Sequence, residues 1–257
     1  MANTVVRTNV AAGVATLTLD SPHNRNALSS ALITELVDAL AAAAADNAVR
    51  VIVLSHTGSV FCSGADLKET AAALAAGDLP AGRMGEVLAA VWDSPKPVVA
   101  RVGGAARAGG LGLIAAADIA VCATTATFAF TEVRLGVIPA VISATVLPRL
   151  VPRAAAELFL TGDTFNGVHA AQVGLVTAAV PDEQLDATVD RYVGSLVRGA
   201  PQALAATKAL LRAAVDGRSI AERLAELSAV SVRFFTSDEG REGVRAYAEK
   251  RNPSWVP

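Results

Sequence analysis

The sequence has few cysteines and no recognisable export signal. Its 257 residues include only Cys62 and Cys122, and we interpret both as small buried hydrophobic side chains. The N-terminus lacks the positively charged stretch followed by an apolar stretch that marks a secretory signal. These two features together predict a reduced, cytoplasmic protein.

Charge and histidine are also scarce. Charged residues make up 18% of the chain and the formal net charge is −2, so there is no basic surplus of the kind that holds nucleic acid. The three histidines, His23, His56 and His169, are scattered without the spacing of metal ligands. We therefore expect neither a nucleic-acid partner nor a metal site.

Hydrophobic residues, by contrast, are abundant, at 53% of the chain. The run at residues 108–131 carries only Asp118 as a charge, but glycines and threonines interrupt it, so we interpret it as buried core rather than a membrane span. The length suits one large domain, or one domain with an extension. A shift in composition predicts a core at residues 1–200 and a helical region at residues 201–257.

The hydrophobic pattern predicts an α/β fold. Residues 14–20 alternate between apolar and polar positions, and residues 51–54 form a continuous apolar run of the buried parallel kind, so both are predicted strands. Further strands are predicted at residues 97–102 and 119–122, and a helix over residues 30–46, capped by its first residue. Strands separated by helices indicate parallel crossovers.

The C-terminal part is predicted to be helical. Helical segments are expected at about residues 182–197, 201–215, 219–235 and 238–250. Residues 71–85 are rich in alanine and glycine and only weakly patterned, so this segment is predicted to be the most mobile.

Two loop-to-helix junctions and one glutamate carry the strongest chemical signal. Ala65 and Gly109 each stand where a loop enters a helix-like segment, so their backbone N–H groups have no acceptor within the helix. Two such groups aimed at one carbonyl oxygen form an oxyanion hole. Glu132 has mostly apolar neighbours, and because desolvation raises the pKa of a carboxyl it would suit proton transfer. The combination predicts chemistry on an activated acyl thioester.

Each of these signals also has a plainer interpretation. Gly109 and Gly110 would permit tight helix packing, and the glutamate would be a surface carboxylate. Asp66 is interpreted as structural, because a carboxylate in the first turn satisfies helix N–H groups. Residues 110–115 loosely fit a dinucleotide-binding fingerprint, but that motif should follow its strand at once, and here residues 103–109 intervene.

Five segments, in order along the chain, resemble the enoyl-CoA hydratase/isomerase, or crotonase, family. They are residues 25–29, 61–69, 106–118, 131–139 and 245–251. The resemblance spans nearly the whole chain. It implies an α/β crotonase-type spiral of ββα units with a C-terminal helical trimerisation region, assembled as a homotrimer or hexamer.

The resemblance also implies roles for individual residues. The N–H groups of Ala65 and Gly109 would hold the thioester oxygen, and Glu132 would transfer the proton. Coenzyme A would be bound as part of the acyl-CoA substrate, with no other cofactor. The positions matched to its binding are Arg25, Ala27, Lys68, Tyr247 and Lys250, of which the last two would reach the ligand of a neighbouring subunit.

Gly112 departs from the family pattern. Hydratases of the family commonly carry a second glutamate at this position, so the sequence shows one catalytic carboxylate rather than two. Residues 131–134 and 139–143 resemble the methylglutaconyl-CoA hydratase branch, some of whose members lack that second glutamate. A branched substrate is therefore predicted, and glycine at position 112 is expected to leave room for it.

The resemblance therefore predicts a lyase of fatty acid and lipid metabolism that adds water reversibly to a 2-enoyl-CoA. One carboxylate also suits a Δ3-Δ2 enoyl-CoA isomerase, which moves a proton between C2 and C4. A third alternative is a non-catalytic acyl-CoA-binding protein that kept the fold, although the retained Glu132 argues against it. No membrane partner is expected.

Overall fold

The computed structural model describes residues 4–76, 82–212 and 237–256. The chain divides into two compact units, Met1–Val193 and Gly194–Pro257. The boundary thus lies earlier than the predicted one between residues 200 and 201. One reason is a hydrogen bond from the C-terminal end of the chain: the indole Nε1 of Trp255 donates to the carbonyl of Arg198 at 3.0 Å. Residues just before position 200 therefore belong with the C-terminal unit.

The first unit combines strands and helices in alternation. Its described strands are, in chain order, β1 (Val6–Ala11), β2 (Val14–Leu19), β3 (Val51–His56), β4 (Val60–Cys62), β5 (Val98–Val102), β6 (Ala105–Arg107), β7 (Ile119–Ala123), β8 (Thr127–Ala129), β9 (Phe165–Asn166) and β10 (Ala178–Val180). Its described helices are α1 (Ser30–Ala45), α2 (Leu67–Ala76), α3 (Gly82–Trp92), α4 (Gly109–Ala116), α5 (Ala140–Val146), α6 (Pro152–Thr161), α7 (Gly167–Gln172) and α8 (Leu185–Leu196), which crosses the boundary.

These strands form two sheets. The larger has the order β1-β2-β3-β5-β7-β10, and the smaller has the order β4-β6-β8-β9. Only the β1–β2 and β8–β9 pairs are antiparallel, and every other described pair is parallel. The central strands β3 and β5 of the larger sheet are apolar runs because both faces are covered; in β3, five of six residues are buried.

The chain winds as a spiral between the two sheets. In three successive turns one strand enters the larger sheet and the next enters the smaller sheet, as the pairs β3 and β4, β5 and β6, and β7 and β8. Helices follow each pair. After the first two pairs they return the chain to the larger sheet, whereas after the third pair α5 and α6 lead to β9 of the smaller sheet, and α7 then returns the chain to β10 of the larger one. This is a repeating ββα spiral, as the family resemblance implies, and it confirms the predicted α/β class.

The predicted strands and the first helix are confirmed, with one correction at the helix cap. The hydroxyl of Ser29, not of Ser30, accepts the hydrogen bond from the N–H of Leu32, at 3.2 Å. Ser30 is instead bound by the carboxylate of Glu69, which accepts from its N–H at 2.8 Å and from its hydroxyl at 3.0 Å. Glu69 therefore ties α2 to the start of α1.

The segment at residues 71–85, which is predicted to be mobile, is helical over the part that the structure describes. It contains the end of α2 and the start of α3, whereas residues 77–81 lie outside the described residues. Both cysteines are buried free thiols, and burial raises the pKa of each to about 12, which keeps them protonated. The interpretation of both as buried hydrophobic residues is confirmed.

The second unit is helical in its described residues. It contains α9 (Pro201–Arg212) and α10 (Asp238–Ala248), as predicted, whereas the helix predicted at residues 219–235 lies outside the described residues. None of the helices that the structure describes is long and apolar enough to cross a membrane.

We expect acid to destabilise the fold through His56. Its Nε2 accepts from the N–H of Gly103 at 3.0 Å, and burial lowers the pKa of the imidazole below its ordinary value. The unfolded chain therefore binds a proton at His56 at a pH where the folded chain does not, so the free energy of unfolding falls as the pH drops below about 6.5.

Urea unfolding at about pH 8 and about pH 5 measures this effect. The control is His56→Gln, whose amide oxygen can still accept from Gly103 but does not titrate. The variant should lose less stability than the parent protein between the two pH values. An equal loss would show that other groups carry the acid sensitivity.

Candidate active site

Three chain segments that carry candidate catalytic groups leave three neighbouring strands at the same edge of the smaller sheet. Ala65 follows β4, Gly109 follows β6 and Glu132 follows β8. Because β4, β6 and β8 are adjacent and parallel, their carboxyl ends lie side by side. The carboxyl edge of parallel strands is where α/β proteins bind ligands.

The first segment turns sharply at Gly64. Its φ of +88° lies in the region that favours glycine, and its carbonyl accepts from the N–H of Leu28 at 2.8 Å. The turn leaves the next residue, Ala65, exposed. Within the described residues, the N–H of Ala65 donates to no protein acceptor.

Asp66 holds the start of α2, as predicted. Its Oδ1 accepts from the N–H groups of Lys68 at 3.0 Å and of Glu69 at 3.3 Å. Its Oδ2 accepts from the side chain of Asn24 at 3.3 Å. The carboxylate is thus occupied by helix capping and loop anchoring, which confirms its structural interpretation.

The second segment enters α4 through a strained residue. Ala108 has a φ of +47°, uncommon for a residue with a side chain, and Gly109 is the first residue of the helix. The N–H of Gly109 therefore has no acceptor in the helix, and the described residues offer it none elsewhere.

The two loop-to-helix junctions are in direct contact, and close packing between them requires glycine at position 110. A Cβ added at Gly64 would lie 3.3 Å from the amide nitrogen of Gly109. A Cβ added at Gly110 would lie 2.5 Å from the carbonyl oxygen of Cys62, so only glycine fits there. The tight-packing interpretation therefore holds for Gly110. It holds for Gly109 as well, where a Cβ would lie 2.6 Å from Cε of Met84, but Gly109 also presents a free amide beside the first junction.

Glu132 opens a 3-10 turn, Glu132–Leu135, directly after the third strand of the group. Its Oε2 atom is buried and has no hydrogen-bond partner among the described residues. Desolvation by burial raises the pKa of this carboxyl and outweighs the opposing effect of its own backbone N–H. An unpartnered carboxyl with a raised pKa is suited to accept and release a proton near neutral pH.

One cavity brings the three segments together. It has a volume of about 550 Å³, and Ala65, Gly109 and Glu132 all line it. Residues 137–142 form much of its apolar wall. The structure therefore gathers two free amides and one unpartnered carboxyl around a mainly apolar space large enough for a small-molecule ligand.

Gly112 does not leave the room that the sequence predicted. A Cβ at this position would lie 2.8 Å from Cγ2 of Ile142 and 3.2 Å from Cδ1 of Leu88. Gly112 is fully covered and is absent from the cavity lining. The space that a larger residue would need is already filled by Ile142.

The positions matched to coenzyme A binding fall in two places. The backbone carbonyl of Arg25 accepts a hydrogen bond from the N–H of Ser63 at 3.1 Å. The loop that contains Arg25 and the buried Ala27 is therefore hydrogen-bonded to the first junction. Lys68 lies in the first turn of α2 and is exposed. The remaining two, Tyr247 and Lys250, belong to the second unit, in and just after α10, and are described only within that unit.

Two charged residues at the cavity were not recognised as part of a site from the sequence. Glu69 and Arg83 both line it. Glu69 lay within a segment already matched to the family, which was the available signal. Arg83 lies in the weakly patterned segment, and its guanidinium donates to the carbonyl of Ser30 at 3.1 Å and to the hydroxyl of Thr34 at 2.8 Å. Glu69 therefore holds α2 against α1, and Arg83 holds α3 against α1.

Comparisons with known proteins identify the family of the chain. The family model described as enoyl-CoA hydratase/isomerase matches residues 9–256. A probable enoyl-CoA hydratase of Rhodobacter capsulatus is 34% identical over 253 residues, which cover 98% of this chain and 97% of that protein.

Solved structures show the same likeness. A putative enoyl-CoA hydratase of Mycobacterium avium paratuberculosis is 50% identical, with a TM-score of 0.75 and coverage of 98% of this chain and 99% of that one. AtuE of Pseudomonas aeruginosa is 35% identical, with a TM-score of 0.91 and coverage of 98% and 100%. The chain therefore belongs to the enoyl-CoA hydratase/isomerase family of enzymes.

Proposed function

We propose that the protein is an enoyl-CoA hydratase, which adds water reversibly across the double bond of a 2-enoyl-CoA. The observation that carries the proposal is the unpartnered, buried carboxyl oxygen of Glu132 in the same cavity as two free backbone amides. The family relationship supports an acyl-CoA thioester as the substrate class.

The amides of Ala65 and Gly109 bind the thioester oxygen in this proposal. They stabilise the negative charge that develops on it as the acyl group becomes enolate-like. Glu132 takes a proton from water as the water oxygen bonds to C3, and it then gives a proton to C2. One carboxyl therefore serves as base and acid in turn, and its raised pKa suits both steps.

A Δ3-Δ2 enoyl-CoA isomerase is the second candidate. Among the described residues that line the cavity, Asp66 and Glu69 are held by helix and loop contacts, whereas the buried Oε2 of Glu132 has no hydrogen-bond partner. One free carboxyl is sufficient to move a proton from C2 to C4, whereas hydration also requires it to activate a water molecule.

A branched substrate such as methylglutaconyl-CoA is a finer part of the proposal. Its support is the resemblance of residues 131–134 and 139–143 to that branch of the family. Gly112 no longer supports it, because Ile142 fills the space beside that glycine.

Side-by-side rates on crotonyl-CoA, methylglutaconyl-CoA and a 3-enoyl-CoA test these alternatives. Hydration of at least one of the first two substrates is the expected result. Turnover of the 3-enoyl-CoA alone would replace the hydratase with the isomerase. Tight acyl-CoA binding without turnover of any substrate would indicate a non-catalytic binding protein.

For coenzyme A itself, we assign binding of the nucleotide end to the loop of Arg25 and Ala27, and we include Lys68 among the residues that bind the cofactor part of the substrate. The first two lie on the loop paired with the first junction, and Lys68 lies in the first turn of the helix that follows this junction. Tyr247 and Lys250 are proposed to act on the ligand of a neighbouring subunit, as the family resemblance implies.

We expect the protein to form a trimer or a dimer of trimers. The apolar excess of the sequence and exposed apolar side chains in the first unit outside the cavity, such as Leu160 and Val151, 77% and 50% exposed, support burial between subunits. Light scattering at micromolar concentration measures the mass. A monomer would contradict the prediction, and truncation after Ala200 should yield dissociated or insoluble protein.

A further inference from the structure

Ile142 lies where the wall of the active-site cavity packs against α4. It lines the active-site cavity, is 3% exposed, and sits against Gly112 of α4. Gly112 stands three residues after Gly109, so the two lie on the same face of the helix, roughly 4.5 Å apart along its axis. Ile142 therefore contacts α4 about one turn beyond the amide assigned to the thioester oxygen.

Ile142 is fixed in that place from two sides. Its Cβ would lie 3.2 Å and its Cγ2 2.8 Å from a Cβ at position 112, so glycine alone permits this approach. The hydroxyl of Thr145, one turn along α5, donates to the carbonyl of Gly112 at 3.1 Å. The short helix α5 is thus anchored on α4 at the point where Ile142 enters the wall.

A second, smaller space lies behind this wall. It has a volume of about 220 Å³ between α3 and α5, and its lining includes Leu88, Trp92, Val141 and Thr145. Val141 lines both this space and the active-site cavity. Leu88 and Ile142 both reach the position where a side chain at Gly112 would stand. These side chains therefore form a partition between the two spaces.

We infer that Ile142 is the residue that limits acyl-chain length, and that the unmodified protein selects short acyl groups. The inference rests on the proposed function, because the position of the thioester defines where the acyl chain begins. With Ile142 in place the chain meets the partition about one helical turn beyond its carbonyl. Removal of that side chain leaves Leu88 and Val141 as the rest of the partition and gives the acyl chain room in the direction of the space between α3 and α5.

Ile142→Ala should shift selectivity toward long chains. Each newly buried methylene group contributes about fourfold in affinity, so a few extra buried groups give a rise of about tenfold or more. The quantity to measure is the ratio of kcat/KM on 2-decenoyl-CoA to kcat/KM on crotonyl-CoA. The ratio of the dissociation constants of butanoyl-CoA and decanoyl-CoA should rise in parallel, because these saturated thioesters bind without reacting.

Leu147→Ala is the matched control. Leu147 directly follows α5, is 48% exposed, and lines neither space. This variant should keep both ratios of the parent protein. A milder variant, Ile142→Val, removes one methyl group and keeps the contact with Gly112. It should raise the ratios in the same direction by about fourfold or less, and it serves if the alanine variant does not fold.

The outcomes separate the inference from the proposed function. If the two ratios rise by less than about threefold in folded Ile142→Ala, the inference is overturned even if hydration is normal. Such a rise is smaller than the contribution of one methylene group. If that variant does not fold, unchanged ratios in Ile142→Val overturn it. A rise in decanoyl-CoA affinity without any turnover of enoyl-CoA supports the partition and overturns the hydratase instead.

Discussion

Glu132→Gln should lower turnover of the enoyl-CoA substrate by at least roughly 100-fold, the usual scale of general acid–base catalysis. Glutamine has nearly the same shape as glutamate but cannot take a proton from water and return one to carbon. The replaced oxygen is buried and has no protein partner among the described residues, so no hydrogen bond is broken by the change. Acyl-CoA binding should therefore be retained.

The measurement is kcat together with the dissociation constant of butanoyl-CoA. Glu157→Gln on α6 is the matched control, because that carboxylate is exposed and does not line the cavity. It should behave as the parent protein does. Near-normal turnover of a well-folded Glu132→Gln enzyme would remove Glu132 from the mechanism.

The pH dependence gives the same variant a second readout. Hydration begins with the carboxylate form of Glu132, so the rate falls as the pH drops through the pKa of this group. Burial raises that pKa, which moves the acidic limb of the rate profile above the ordinary range of glutamate. Residual activity of Glu132→Gln should lack this limb.

The sequence predicted the larger sheet better than the smaller one. Strands such as β2 and β3 have six residues each, which is enough for alternation or a continuous apolar run to be recognised. The strands that carry the site, β4, β6 and β8, have three residues each, too few to show a period. Their residues were found through junction chemistry and family resemblance instead.

Only the family resemblance predicted that the three site residues come together in the fold. Sequence alone identified Ala65, Gly109 and Glu132 as separate signals. That they share one cavity follows from the parallel order of three short strands, which is a long-range property. The missing partner of Glu132 likewise depends on every neighbour that burial brings near it.

The prediction that failed at Gly112 shows a further limit. A glycine in a sequence indicates a missing side chain, but it does not say what fills the space. Here Ile142, thirty positions later in the chain, packs into it from another helix. Interiors are packed to high density, so a small residue at one position is usually matched by a larger neighbour.

Ala65→Pro should lower turnover by about 100- to 1000-fold, the scale of losing one oxyanion donor. Proline has no N–H, and the N–H of Ala65 makes no hydrogen bond to the described protein, so the change removes a donor to the ligand without breaking a hydrogen bond of the fold. Ala65 is exposed and precedes α2, which leaves space for the ring.

Ala65→Gly is the control, because glycine keeps the N–H and removes only one methyl group. It should retain most of the activity, which would assign the loss in Ala65→Pro to the donor rather than to the side chain. Thermal unfolding and butanoyl-CoA binding must show that the proline variant keeps its fold and its ligand site. A folded Ala65→Pro enzyme with normal kcat would rule out this amide, and stabilisation of the thioester oxygen would then depend on Gly109 and other groups.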